Sequence, residues 1–154
     1  MPRNRPGALR ARRLPAPHSR KVPPPPRIPG LSLRTSLAVH RLEDEDDGPL
    51  LLPGATASAL HRYRTFVTAP GRGVLYPRTS VCPACPGCGM DDVRHAREVL
   101  AETLRLLTPP GARTELARAL NELDRTYRLR TLPDPRPNPR PWWHRRLSEG
   151  AEGW

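Results

Sequence analysis

The residues in this chain with the most chemical potential are three cysteines at Cys82, Cys85 and Cys88, each separated from the next by two residues. Thiolates at that spacing can share one metal ion, and a glycine after the last, Gly89, allows the tight turn that points amides at sulfur. Three thiolates leave one tetrahedral position open. His95, just inside the helix expected to follow, is the first candidate for it, with His61 and His144 as alternatives. A Cys₃His site of this kind would fasten the loop to the helix and contribute on the order of 10 kcal/mol to folding. The competing reading is that these are reduced thiols in a Pro/Gly loop. Three cysteines within seven residues fit a reduced compartment better than a disulfide framework, which needs an even count spread through the fold.

Within this cluster, Cys85-Pro86-Gly87-Cys88-Gly89 resembles the C-P-x-C-G knuckle of zinc-ribbon proteins. The resemblance covers five residues and implies a structural zinc. A ribbon also needs a second such pair, and the chain has no other CxxC. The spacing is similar as well to the start of the bacterial iron–sulfur pattern, but the position of its fourth cysteine is taken by Asp92.

A second constellation lies in the tail, where Trp142 and Trp143 adjoin His144, Arg145 and Arg146. Aromatic faces beside cations are one way to hold single-stranded nucleic acid. They are also a way to anchor a tail. The preceding run places a proline at every second residue from Pro133 to Pro141, giving a stiff arm that could lay both indoles across an apolar seam of this chain or of a partner. Catalytic signatures are missing: there is no G-x-S-x-G, no P-loop and no H-E-x-x-H. Glu98 and Glu102 lie four apart on one helix, where solvated carboxylates are commonplace, and a Cys88 and His95 pair in an open loop has no oxyanion hole. The expectation is a non-catalytic interaction or adaptor protein whose partner is another protein or a second copy. The alternative is a small basic nucleic-acid-associated or regulatory protein.

The net charge of +11 would favour that alternative if it were evenly spread. It is not. Residues 1–41 carry ten Lys and Arg and no acid, residues 42–47 carry five acids, and residues 91–132 carry eight arginines against seven acids. The basic excess therefore sits mostly in the N-terminal arm, outside the strongest helical region. No apolar run approaches the ~18 residues of a membrane span, and the N-terminus lacks the apolar core of a signal peptide, so the expected location is cytoplasmic.

The elements that must position these residues follow from the prolines. Among the 22 prolines the two longest free windows are 87–108 and 111–132, each long enough for a helix. Asp91 or Asp92 caps the first, whose apolar positions Val93, Ala96, Val99, Leu100, Leu104 and Leu107 recur at steps of three and four. The second opens on Pro109-Pro110 and carries Leu116, Leu120, Leu123 and Tyr127 before stopping ahead of Pro133. The fold class expected is mainly α: an antiparallel two-helix hairpin over about 91–131. Residues 55–80 should supply a short helix to about Arg62, then an extended hairpin through Tyr63–Thr68 and Gly73–Tyr76. Domain bounds follow: a disordered basic Pro-rich arm over 1–30, a linker with the acidic run over 31–54, a small domain over 55–132, and an extended tail over 133–154. Two helices alone have too small a core to stand unaided. Something must cover their seam.

Overall fold

The computed structural model describes residues 25–79, 89 and 91–149. Among the described residues lie four α-helices, α1 Leu33–Glu45, α2 Ala55–Val67, α3 Val93–Leu106 and α4 Pro110–Arg130, followed by a 3-10 turn at Trp142–His144. The mainly α class and both helices of the 91–131 region stand. No strand forms among the described residues; an isolated antiparallel bridge joins Pro133 to Arg146.

The expected hairpin is not the organising unit. α3 makes its most extensive contact with α2, and α4 lies against α1 and α2 as well as α3. The reason is on α2: Ala59, Leu60, Tyr63 and Val67 share one face, all buried, so the helix continues through the segment expected to be extended. Thr56 and Thr103 meet inside the α2–α3 contact, their hydroxyls 3.0 Å apart, with Thr103 also donating to the Val99 carbonyl at 2.9 Å. Ile28, Leu31, Val39 and Leu51 complete one core with Leu100, Leu107, Leu116, Leu120 and Tyr127. The stretch expected to be a linker thus contains α1, and the N-terminal arm is already in the core at Ile28. The rest of that arm, residues 1–24, lies outside the described residues.

Helix termini leave unpaired backbone groups, and here distant side chains reach them. Glu115 of α4 accepts from the Ser32 amide at 2.6 Å and from the Ser32 and Thr35 hydroxyls, so it closes the start of α1. These bonds hold its carboxyl below the usual range. Glu43, from the acidic run, is 2% exposed and accepts from the Gly54 and Thr56 amides at 2.9 and 2.8 Å, closing the start of α2. Gly54 has φ +82°, a conformation that favours glycine at this cap. Arg130 spans the other end of α2, donating to the carbonyls of Val67, Ala69 and Gly71 at 3.1, 2.6 and 2.9 Å. Asp92 caps α3 through the Arg94 amide at 2.9 Å, as the sequence implied.

The seam is covered from within the chain. Beyond Pro133 the tail turns back, with Leu147 donating to the Leu132 carbonyl at 2.9 Å and Asp134 to that of Arg145 at 3.1 Å. Glu149 then donates its amide to the Pro77 carbonyl at 3.0 Å.

Candidate functional site

Two polar clusters are built on α3, one with α2 and α4 and one with the tail. In the first, Asp124 accepts from Tyr63 Oη at 2.7 Å and from Arg97 Nε and Nη2 at 2.8 and 2.9 Å. Both charged side chains are under one-tenth exposed. Burial, reinforced by the neighbouring carboxylate, drives the Tyr63 hydroxyl well above its ordinary pKa, so it stays a donor. Arg97 lies with its guanidinium carbon 4.5 Å from the Trp143 ring centre. Arg97 Nη1 and Trp143 Nε1 are buried without a hydrogen-bond partner among the described residues. In the second cluster His144, 8% exposed, bonds Glu98 at 2.6 Å through Nε2, while His95 Nδ1 is 3.7 Å from the other Glu98 oxygen. The bond to His144 holds the Glu98 carboxyl below its usual range.

The tail residues divide between these clusters and the surface. Trp143 turns inward onto Arg97, and its carbonyl accepts from Tyr127 Oη at 3.1 Å. Trp142 meets the Tyr127 ring edge-on, centroids 5.9 Å apart, and its face carries the Arg128 guanidinium at 3.9 Å. Trp142, Arg128, Arg145 and Arg146 line a surface cleft of about 270 Å³ together with Pro133 and Asp134. Arg146 is anchored: its Nε donates to Thr131 Oγ1 at 2.7 Å and its Nη2 to the carbonyls of Arg128, at 2.7 Å, and Thr131. Partial burial lowers its pKa, and the adjacent Arg128 cation acts in the same direction. The acids nearby are already engaged, Asp134 with Arg136 at 3.0 Å and Glu149 with Arg78 at 2.7 Å.

Of the residues singled out in the sequence, the structure brings Trp142, Arg145 and Arg146 together around one cleft and sets the half-buried Trp143 against Arg97. His95 is on α3, half-exposed. Cys82, Cys85 and Cys88 lie outside the described residues. Among the described residues no group of three or more His, Cys, Asp and Glu is arranged to hold a metal. His144 is committed to Glu98, whereas His61 lines a groove with Phe66, Asp91 and Val93.

Sequence reading missed Arg128 and the Arg97–Asp124 pair. The pair did leave a signal: Asp124 continues the apolar row Leu116–Leu120 at a step of four, and Arg97 adjoins the row through Ala96 and Leu100. A charged residue on a buried face requires a buried partner. Comparison of the chain with protein-family models, with curated proteins and with solved structures finds no match in any of the three.

Proposed function

We propose that this chain is a non-catalytic interaction protein whose contact face is the arginine-lined cleft at the C-terminal end of α4. The supporting observation is the set of charges around Trp142. Arg128 and Arg145 are exposed with no ion pair among the described residues, beside a third arginine, and the local acids are already paired. Three like charges gathered with their counter-charges elsewhere favour an anionic partner. The interior polar groups support the same reading, since Glu43, Glu115, Asp124 and Arg130 are all employed in holding helices. The test is retention of the full chain on a heparin matrix. Wild type should need appreciably more salt for elution than the Arg128→Gln/Arg145→Gln variant, and equal elution would remove the cleft from the proposal.

A structural zinc at Cys82, Cys85 and Cys88, completed by His95, is a separate proposal. Two observations favour it: His95 Nε2 has no hydrogen bond among the described residues, and the described chain after the cysteines resumes at Gly89 and Asp91, at the start of α3. The His61 groove beside Asp91 offers the alternative fourth ligand. Protein purified without chelator should carry about one zinc per chain, lost in Cys85→Ser and Cys88→Ser. Zinc-free protein with circular dichroism unchanged by EDTA would exclude the staple.

A further inference from the structure

The cleft is one end of a longer feature. On α4, Thr114, Arg118, Asn121, Arg125 and Arg128 follow one another at steps of four and three residues, and all five are exposed. That spacing puts them on a single face of the helix. No acid falls in the row. Glu115 is turned to Ser32 and Thr35, Asp124 is buried on Arg97, and Glu122 lies on the flank without an ion pair among the described residues. Arg118, Arg125 and Arg128 themselves have no hydrogen bond or ion pair to other described side chains. From Arg118 to Arg128 the row runs about 15 Å along the helix axis before reaching Arg145 and Arg146 at the cleft.

We infer that this row is a track for the phosphodiester backbone of nucleic acid, gripped by charge without reading of bases. This rests on the basic-face reading above and narrows its partner. Linear order is the first reason: cations aligned on one face of a rod, about 10 and 5 Å apart along its axis, match a polymer whose anions also follow a line. The second is what the face lacks. Protein interfaces have an apolar centre, but this row offers Thr, Asn and Arg, with Leu129 beside it as the exposed large apolar side chain of the helix. The third reason is the state of Trp142. Arg128 already covers its ring and Tyr127 and Trp143 meet it edge-on, so the indole supports the guanidinium in place of stacking on a base.

Fluorescence anisotropy of the full chain with a labelled single-stranded oligonucleotide, titrated across salt, tests this. The logarithm of affinity should fall with the logarithm of salt, at about 0.7 per phosphate neutralised. Arg118→Gln/Arg125→Gln/Arg128→Gln should flatten that slope by about 2, and Arg118→Gln/Arg125→Gln, which leaves the Trp142 stack intact, by about 1.4. Arg34→Gln/Arg41→Gln/Arg72→Gln removes the same charge from exposed arginines elsewhere and should change the slope by less than half as much as the first variant. Equal flattening by the two triple variants would replace the track with diffuse attraction, and no oligonucleotide binding by wild type at low salt would overturn it outright. Polyglutamate displacing the oligonucleotide at equal charge concentration would also overturn the nucleic-acid assignment while leaving the basic-face reading in place. Loss of heparin retention dependence on Arg128 and Arg145 would remove both.

Discussion

Replacing Asp124 with Asn should cost more stability than any other single polar change of equal size in this fold. The side chain keeps its shape, and its oxygen can still accept from Tyr63 and from Arg97 Nε. The new amide group, however, faces Arg97 Nη2, donor against donor, where a 2.9 Å charge-assisted bond stood. The guanidinium is then left about nine-tenths buried with no counter-charge, and its Nη1 already lacks a partner. Breaking a buried pair by removing one charge costs about 3 to 5 kcal/mol. At roughly 2 to 4 °C per kcal/mol for a chain of about 150 residues, the melting temperature should fall by about 6 to 20 °C. Urea titration followed by circular dichroism gives the free energy directly, provided the denaturant slope is unchanged. The companion variant is Tyr63→Phe/Arg97→Met/Asp124→Leu, which removes every polar member together. Replacing a whole buried ionic group with apolar residues is often neutral or stabilising, so this triple should recover most of the loss. A cost below about 1 kcal/mol for Asp124→Asn, or a triple variant no more stable than it, would refute the claim that an uncompensated buried charge is what the carboxylate prevents.

Replacing Trp142 and Trp143 together with Ala should lower stability by about 3 kcal/mol or more, since large-to-small changes at partly buried aromatics lose transfer energy and leave a cavity; a melting temperature unchanged by the pair would show that the tail does not hold the helices. Acid should destabilise the fold through Glu98 and Glu115, whose folded-state pKa values lie below the ordinary 4.5. The stability they contribute is fully present above that value and is lost as the pH falls through the lower, folded-state values. Melting temperatures measured from pH 6 down to about pH 2 should therefore drop below about 4.5. Glu98→Gln should make that drop shallower, whereas an identical acid limb in the variant would dismiss the Glu98–His144 bond as a contributor.

What the sequence made legible was the part governed by local rules. Pro109 and Pro110 separate α3 from α4, Asp92 caps α3, and the apolar steps along both helices give their inner faces. What escaped were features set by distance in the chain. Glu43 reads as one acid in a solvated run, and only the approach of Gly54 and Thr56 turns it into the buried cap of α2. Tyr63 and Val67 have high β-propensity, and the expected strand yields to a helix because both side chains fit the same buried face as Ala59 and Leu60. The tail was legible as an aromatic anchor, but not the partition by which Trp143 backs Arg97 and Trp142 backs Arg128. Nothing local distinguishes two neighbouring tryptophans; the Tyr127 ring and the Arg97 cation do.

The same distinction applies to arginine, the residue that dominates the charge of this chain. Counted along the sequence, the arginines of α3, α4 and the tail are nearly balanced by acids, which argues against a binding role for that region. In three dimensions they fall into two populations. Arg97, Arg130 and Arg146 spend their donors on Asp124, on the carbonyls after α2 and on those ending α4. They carry charge but act as fasteners, using the planar fork that makes arginine suited to several acceptors at once. Arg118, Arg125, Arg128 and Arg145 do none of this and share the outer surface with no acid among them in the α4 row. The acids that balance the tally are largely spent inside or on other pairs, as Asp124 and Glu115 are. A near-neutral segment can therefore present a strongly basic face, because the positive charges left at its surface are those the fold does not use.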